Sequence, residues 1–276
     1  MEDNDKLVAV VVPLSDRDKF LPEEEVSLRH LTHYLGGYDK YLIAPESVDI
    51  SYPGCLVRKF DDRYFGSLNR HIRLLFKPEF YRSFSEYKYI LIYHLDALVL
   101  SDSLRYWCDK GYDYIGAPVV FRDKYSRGEG VEPGRDMLLN GGFSLRKVET
   151  FIRILEEFRR YFQIPSYVDP NDEARNAYLT GIKRIVLRQL GGRRVRNFSD
   201  LIWDYFSQFL NDDAFWTLSA RDFDASYDLA PLDDALAFAF ETDPSYCHQL
   251  NGGKVPFGVH AWSKYEPNFW QPYLLC

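Results

Sequence analysis

Short runs of apolar residues alternate with amphipathic segments through the first half of the chain. The runs at residues 8–12 and 41–44 are apolar and each ends at a proline, and residues 57–60 form a shorter third segment that includes two basic residues. Such runs are typical of strands that are buried on both faces of a parallel sheet. They therefore predict the first three strands of such a sheet.

The segments between and after these runs carry helix signals. Pro22 and the three glutamates that follow it open a helix that Gly36 ends, since proline and acidic residues suit a first helical turn and glycine suits a helix end. We predict further helices over residues 68–84, interrupted near Pro78, from Ser101 or Asp102 to Gly111, and over residues 148–162. This alternation predicts an α/β protein, with a mixed, mostly parallel sheet flanked by helices.

The alternation of predicted strands and helices ends near residue 145. The pattern is mostly helical over residues 147–210 and mixed beyond them, and we find no repeat, long linker or low-complexity segment. One domain over residues 1–276 with a helical insert is the economical interpretation. Residues 1–145 would form one half of that domain, and residues 146–276 the other.

A longer apolar run, residues 89–93, leads directly into His94, Leu95 and Asp96 and predicts a strand that ends at Asp96. In open α/β sheets, ligands bind beyond the carboxyl ends of the strands. Asp96 is therefore expected at a ligand crevice, where a carboxylate holds a metal ion or a sugar hydroxyl group. The competing interpretation is that Asp96 caps the turn that follows the strand.

The tripeptide Asn140-Gly141-Gly142 is a second candidate. Two glycines let the backbone approach a ligand closely, and the asparagine side chain can hydrogen-bond a sugar hydroxyl group. A plain tight turn that leads into a short strand explains the same tripeptide equally well.

Two adjacent acids, Asp212 and Asp213, precede an apolar and aromatic run that includes Trp216. The pattern is typical of a helix start, with Asn211 or Asp212 as the N-terminal cap. The functional interpretation makes Asp213 a general base, which must lie within hydrogen-bonding reach of the proton that it removes.

Two later residues complete the candidates. Glu241 follows an apolar run and could accept a hydrogen bond from a sugar hydroxyl group, although a solvated or capping glutamate has the same pattern. His260 lies between Phe257 and Trp262 after a glycine, where a structural histidine and a ligand-binding one compete.

Composition narrows the function classes. Aromatic residues make up 17% of the 276 residues, which fits stacking on sugars or bases as well as core packing. The net charge of −7 argues against a general nucleic-acid-binding protein. The chain has neither a G-x-G-x-x-G motif after the first strand nor a P-loop, a G-x-S-x-G elbow or an H-E-x-x-H motif.

The four cysteines are scattered, and the N-terminus is acidic with a short apolar run, so we expect a cytoplasmic protein. One local exception to the acidic character is a basic stretch, which could contact the inner face of a membrane or a lipid-pyrophosphate acceptor. The pattern favours the other interpretation, a solvated helix face packed on the domain. The stretch comprises Lys183, Arg184, Arg188, Arg193, Arg194 and Arg196.

Five segments in this order resemble the glycosyltransferases with a GT-A fold and, within them, the DUF5672 family. They are residues 89–99, 111–118, 140–146, 211–216 and 256–262. The resemblance implies a Rossmann-like sheet, with a nucleotide-sugar-binding half and an acceptor-binding half. It also implies transfer of a sugar, from a UDP-sugar or a related donor, to a glycan or lipid-linked acceptor in surface polysaccharide synthesis.

The resemblance also implies residue roles. In GT-A enzymes a D-x-D motif holds Mn²⁺ or Mg²⁺, and here His94-Leu95-Asp96 keeps only the second acid of that motif. Asp96 and His260 would hold the metal, and Asp213 would be the base of an inverting reaction, with Glu241 as the second catalytic candidate. Donor contacts are expected from Pro13, Asn69, His94 and Asp96, and sugar contacts from Asn140, Gly141, Gly142, Asp212, Trp216 and Trp262.

Three further expectations accompany these roles. Residues 122–136 are polar and glycine-rich, so they could act as a lid over the donor. A sugar-nucleotide hydrolase or a nucleotidyltransferase, using Asp212 and Asp213, is one alternative function. A non-catalytic carbohydrate-binding module of degenerate transferase fold is the other.

Overall fold

A computed structural model describes residues 6–120, 138–162 and 212–275 of the chain. Its strands are β1 (Lys6–Pro13), β2 (Asp39–Pro45), β3 (Leu56–Phe60), β4 (Tyr87–Tyr93), β5 (Leu98–Val99), β6 (Tyr114–Val119), β7 (Leu138–Lys147), β8 (Ala239–Phe240) and β9 (Gly258–Val259). Six of them form one sheet in the order β3-β2-β1-β4-β7-β6. The first four strands in that order are parallel, and β7 runs antiparallel to both of its neighbours. The predicted α/β architecture with a mostly parallel sheet is confirmed.

Helices cover both faces of this sheet. They are α1 (Pro22–Leu35), α2 (Leu68–Leu75), α3 (Pro78–Arg82), α4 (Leu104–Asp109), α5 (Val148–Phe162), α6 (Asp212–Ala214), α7 (Ala220–Phe223), α8 (Leu232–Phe238), α9 (Pro244–Leu250) and α10 (Pro267–Trp270). A π-helical turn, Phe215–Ser219, joins α6 to α7, and short 3₁₀ turns lie at Asp62–Tyr64 and Gln271–Tyr273. The interrupted helix that was predicted around Pro78 is the pair α2 and α3.

The continuous apolar sequence of β1 is explained by burial on both faces. Ala9 and Val11 pack into one hydrophobic core with α2, α3 and α5, whereas Val10 and Val12 pack into a second core with α1 and α4. Successive side chains of a strand point to opposite faces, so both sets must be apolar. Burial of apolar surface stabilises a folded protein by about 25 cal/mol per Å², so these two large cores are the main source of stability in the fold.

Two predicted boundaries are wrong. Strand β4 ends at Tyr93, not at Asp96, because residues 94–97 form a turn in which Ala97 N donates to the His94 carbonyl at 2.9 Å. The expected turn at Asn140-Gly141-Gly142 is instead the interior of the ten-residue strand β7. There the pairing with β6 shifts register between Gly116 and Ala117, since β7 carries extra residues opposite that point.

A second, three-stranded sheet lies beside the large one, in the order β5-β9-β8. Each of its strands has only two residues, so no sequence periodicity could have indicated them. Strand β5 is antiparallel to β9, and β8 is parallel to β9. The carboxyl ends of β8 and β9 therefore lie at the same edge as the amino end of β5.

Several expectations fall outside the described residues. These are the lid over residues 122–136, most of the helical insert at 147–210 and the basic stretch from Lys183 to Arg196. Within the described part of the chain, no helix combines the length and the apolar character that crossing a bilayer requires.

Candidate active site

Three side chains meet at the shared edge of the small sheet. Asp96 lies two residues before β5, and Glu241 and His260 each lie one residue after β8 and β9. His260 Nε2 lies 3.2 Å from Asp96 Oδ1, and its Nδ1 lies 3.5 Å from Glu241 Oε1. The backbone fixes this arrangement, because Trp262 N donates to the Asp96 carbonyl at 3.1 Å and His260 N donates to the Phe240 carbonyl at 2.8 Å.

His94 adds a second imidazole to this group. It directly follows β4, and its amide donates to the Gly142 carbonyl at 2.8 Å. One ligand atom from each of His94, Asp96 and His260 can be chosen so that the three atoms lie within 4.8 Å of one another. On the far side of the His94 ring, its Nε2 lies 3.2 Å from His71 Nε2, which belongs to α2.

Gly142 leaves the room that this cluster occupies. A Cβ atom built on Gly142 would lie 2.8 Å from His94 Nδ1 and closer still to His260 Nε2. No side chain fits there without moving the two imidazoles. The glycine pair in β7 is therefore explained by close approach of the backbone to the histidines, as glycine inside a strand often is.

The cluster fits a divalent cation. Both ring nitrogens of His260 are buried and lack a hydrogen bond of acceptable geometry, although carboxylate oxygens lie near them. Imidazole nitrogen and carboxylate oxygen are ordinary ligands of divalent metals. His94, Asp96 and His260 are the residues that would hold such an ion.

The electrostatics of the cluster favour ionised Asp96 and neutral His94. Burial lowers the pKa of His94 to about 4. Burial opposes protonation of His260 as well, but the carboxylates of Asp96 and Glu241 outweigh it and raise its pKa to about 10. Desolvation opposes ionisation of Asp96, yet His260 and His94 bring its pKa down to about 2. A cation would take the place of the positive charge on His260.

Asp213 lies on the other side of the glycine pair. Gly141 N donates to Asp213 Oδ1 at 2.7 Å. The Asn140 amide reaches both acids, with Nδ2 at 3.4 Å from Asp213 Oδ2 and at 3.1 Å from Glu241 Oε1. Burial and the adjacent Asp212 carboxylate raise the pKa of Asp213 to about 7, against the lowering effect of the Gly141 amide. A carboxylate with such a pKa suits a general base at neutral pH.

Asp212 is held by the protein itself. Its Oδ2 accepts from the fully buried guanidinium of Arg146 at 2.7 Å, and its Oδ1 accepts from Trp216 Nε1 at 2.8 Å. Arg146 also donates to the Tyr81 hydroxyl at 2.9 Å and to the Gly141 carbonyl at 3.1 Å. With both of its oxygens bonded to buried protein donors, Asp212 anchors α6 to β7 and is not placed to contact a sugar.

The predicted stacking of a sugar on Trp216 does not agree with its position. The indole is completely buried, and it stacks on Phe151 with the ring centroids 3.7 Å apart. Trp262, the other tryptophan expected to contact sugar, is 6% exposed and packs in the core of the small sheet. The aromatic run after Asp213 therefore serves the core, as the helix-start interpretation had it.

A cavity of about 490 Å³ opens next to the histidine cluster. It lies between the carboxyl ends of β1 and β4. The strand order reverses at this point, because β2 and β3 lie on one side of β1 and β4 lies on the other. Ligands of open α/β sheets bind at such a switch point. Its walls include Pro13, His94, Leu95, Asp96 and His71, and also Arg17 and Lys19.

Among the four residues predicted to contact the donor, Pro13, His94 and Asp96 line this cavity and Asn69 does not. Asn69 is exposed on the first turn of α2, whereas Ser67, Leu68 and His71 line the cavity. The sequence interpretation assigned no role to His71 or to Arg146. The signal for Arg146 was its place at the end of the segment 140–146, where a charged residue follows a predicted strand.

Comparisons with known proteins add the following. The model of a family described as a protein of unknown function, DUF5672, matches residues 54–260. No curated protein matches the chain. Among solved structures, the chain is similar to the galactosyltransferase LgtC, crystallised in complex with donor and acceptor sugar analogs, at 14% sequence identity and a TM-score of 0.39. That alignment covers 91% of this chain and 86% of the other, and it is too distant to carry an argument about activity.

Proposed function

The chain belongs to the DUF5672 family, and we propose that it is a glycosyltransferase, which moves a sugar from a nucleotide-sugar donor to a hydroxyl group of a glycan or lipid-linked acceptor. One observation carries the proposal. His94 and Asp96 belong both to the wall of the switch-point cavity and to the cation cluster. A ligand in that cavity would therefore present its charged group to the cation. The diphosphate of a nucleotide sugar is a charged group of this kind.

The residues of the cluster match the charge that this reaction develops. When the bond between the anomeric carbon and the donor phosphate breaks, its electron pair stays on the phosphate oxygen. A Mn²⁺ or Mg²⁺ ion on His94, Asp96 and His260 would supply charge neutralisation for the leaving group. The Glu241 carboxylate lies 3.5 Å from the far nitrogen of His260 and adds negative charge beside it.

Asp213 is the base in this proposal. The acceptor oxygen forms a bond to the anomeric carbon as its proton passes to the Asp213 carboxylate. Attack from the face opposite the leaving phosphate inverts the configuration at that carbon. The Gly141 amide and the Asn140 side chain hold the carboxylate, while its pKa near 7 lets it both accept a proton and release it afterwards.

Asn140 and Glu241 would position the transferred sugar. Glu241 Oε2 is buried without a hydrogen-bond partner, whereas Oε1 accepts from Asn140. A sugar hydroxyl group donating to Oε2 would satisfy that atom, and an unsatisfied buried oxygen otherwise costs about 1–3 kcal/mol. Glu241 is in addition the second candidate for the catalytic base.

The proposal also includes the wider setting of the protein. The proposal places the protein in the cytoplasm, in surface polysaccharide synthesis at the inner face of a membrane. The basic stretch from Lys183 to Arg196 supports this setting, because a positive segment in an acidic chain suits anionic lipid head groups or a lipid-pyrophosphate acceptor. Donor binding would belong to residues 1–145 and acceptor binding to residues 146–276.

A ligand panel tests the proposal. The protein is heated with UDP-glucose, UDP-galactose, UDP-N-acetylglucosamine, GDP-mannose or dTDP-glucose, each with and without Mn²⁺, and the unfolding temperature is recorded. We expect one donor to raise that temperature only with Mn²⁺, because a ligand that binds the folded state stabilises it. The donor that binds is then incubated with glycan and lipid-linked acceptors, and the released nucleotide and the glycosylated product are measured.

The Asp96→Asn variant should lose the response to donor, while Asp102→Asn, which alters an exposed acid outside the cluster, should keep it. The absence of binding for every donor, with cation present, would overturn the assignment. Release of free sugar that does not depend on an acceptor would favour the hydrolase alternative, and donor binding without turnover would favour the non-catalytic one.

A further inference from the structure

We propose that the cation site is built for a first-row transition-metal ion and discriminates against Mg²⁺, and that His71 fixes His94 in the tautomer that binds this ion through Nδ1. The inference deepens the proposed function, because it names the class of cation at the same site. It also assigns a positioning role to His71, a residue outside the cluster itself.

The predicted selectivity of the cation site follows from the types of its ligand atoms. The three side chains that converge supply two imidazole nitrogens and one carboxylate oxygen. Mg²⁺ prefers an all-oxygen octahedral shell and keeps much of its water, whereas imidazole suits the later first-row metals. The second nearby carboxylate, that of Glu241, faces Nδ1 of His260 and not the nitrogen that faces Asp96. Two imidazoles and one carboxylate favour ions such as Co²⁺ and Zn²⁺ over Mn²⁺, and all of these over Mg²⁺.

The space above Gly142 identifies the ligating nitrogens. His94 Nδ1 and His260 Nε2 both lie within 3 Å of the point that a Cβ on Gly142 would occupy. These two nitrogens therefore converge on one small volume, and Asp96 Oδ1 lies 3.2 Å from the second of them. The Nε2 atom of His94 is on the opposite side of its ring and faces α2 instead.

His71 meets that opposite side. Its Nε2 lies 3.2 Å from His94 Nε2, and a hydrogen bond between two imidazole nitrogens requires one donor and one acceptor. Since Nδ1 of neutral His94 must keep its lone pair to bind a cation, its proton is on Nε2, and His71 Nε2 accepts it. A hydrogen bond of this kind fixes both the tautomer and the ring orientation of a ligating histidine, and its loss typically costs 10–100-fold in metal affinity.

Cation binding to the purified full-length protein, without any donor, tests both parts. Titrations with MgCl₂, MnCl₂, CoCl₂ and ZnCl₂ are followed by isothermal calorimetry, and the Co²⁺ titration is also followed by its visible absorption, which reports the coordination number and geometry of the bound ion. We expect affinity to rise from Mg²⁺ through Mn²⁺ to Co²⁺ and Zn²⁺. His94→Asp, which adds a second carboxylate, should raise the affinity for Mg²⁺ relative to that for Co²⁺ by about tenfold or more. Equal binding of Mg²⁺ and Co²⁺ by the unaltered protein would overturn the selectivity.

Variants at position 71 separate positioning from packing. His71→Phe keeps a ring but has no acceptor, so Co²⁺ affinity should fall 10–100-fold and the absorption band should shift. His71→Gln offers an oxygen near the position of Nε2 and should recover part of that loss. His33→Phe, at an exposed histidine of α1, should leave both measurements unchanged. An unchanged Co²⁺ affinity in a folded His71→Phe protein would refute the role of His71.

The outcomes also separate this inference from the proposed function. Selective Co²⁺ binding with the predicted effect of His71→Phe, in a protein that binds no nucleotide sugar, supports the cation site and overturns only the transferase assignment. Donor binding that depends equally on Mg²⁺ and Co²⁺ supports the transferase assignment and overturns the selectivity.

Discussion

Asp96 Oδ1 and His260 Nε2 lie 3.2 Å apart, although one residue follows a strand of the large sheet and the other follows a strand of the small sheet. Backbone pairing brings them together, because β5 pairs with β9 and Trp262 N donates to the Asp96 carbonyl. The positions of both residues are thus set by main-chain hydrogen bonds. Side-chain substitutions in the cluster should therefore abolish cation binding while leaving the fold intact.

Gly142→Ala tests the close approach of β7 to the histidines. The added methyl group would enter the space between His94 Nδ1 and His260 Nε2, so cation binding should be lost or fall at least tenfold while the protein remains folded. Gly37→Ala is the matched control, since a Cβ there meets no atom within 4 Å. Calorimetric titration with Co²⁺ checks the pair. Equal cation affinities in the two variants would contradict this geometry.

Asp213→Asn tests the base. Removing the proton acceptor should lower turnover about 10²–10⁴-fold, while the affinity for the donor stays near that of the unaltered protein. In the unaltered protein, the carboxylate becomes available as pH rises through its pKa of about 7, so kcat/KM should climb between pH 6 and pH 8. The residual kcat/KM of the variant should not rise over this pH range. Unchanged turnover in Asp213→Asn would transfer the base role to Glu241.

The same pKa has a consequence for stability. Asp213 has a folded-state pKa of about 7, above its ordinary value of 3.8, so the folded protein retains a proton that the unfolded chain releases. The free energy of unfolding should therefore fall as pH rises from about 4 to about 7, by up to about 4 kcal/mol from this group. Asp213→Asn removes that contribution. The difference in the free energy of unfolding, variant minus unaltered protein, should therefore increase from about pH 4 to about pH 7 and stay constant above pH 7. Urea denaturation at each pH measures this difference. A constant stability difference from pH 4 to pH 8 would contradict the raised pKa.

Arg146→Met tests the buried ion pair. The substitution leaves the Asp212 carboxylate buried without its cation and frees the acceptors on Tyr81 and Gly141, so we expect a loss of about 3–5 kcal/mol. The exposed pair Arg105–Asp109, at 3.7 Å, provides the control, and Arg105→Met should cost under about 1 kcal/mol. Urea denaturation measures both variants. A similar, small loss for each would mean that the pair at Arg146 contributes no more than a surface one.

Much of the large sheet could be predicted from the sequence, because burial on both faces forces continuous apolar runs such as that of β4. The small sheet could not be predicted in this way. Strands of two residues have no period, and the pairing of β5 with β9 joins distant parts of the chain. Asn140-Gly141-Gly142 was ambiguous for a related reason, since glycines suit a turn as well as a strand that the histidines approach closely.

The candidate site could be predicted in part from the sequence. Asp96, Asp213, Glu241 and His260 were named from strand ends and helix starts, and the structure brings them together around Gly141 and Gly142. Local patterns could not show that Asp212 faces a buried arginine, whereas Asp213 faces the glycine pair. That distinction depends on which way α6 packs against β7, which is a tertiary property.

The dependence of the cluster on β9 has a consequence for biosynthesis. Chains are made from the N-terminus, and domains begin to fold as they emerge. Strands β1 to β4 can pair before the rest of the chain is made, but the main-chain partners of His94 and Asp96 are Gly142 and Trp262. A nascent chain on the ribosome would therefore complete the cluster only after residue 262 has been translated.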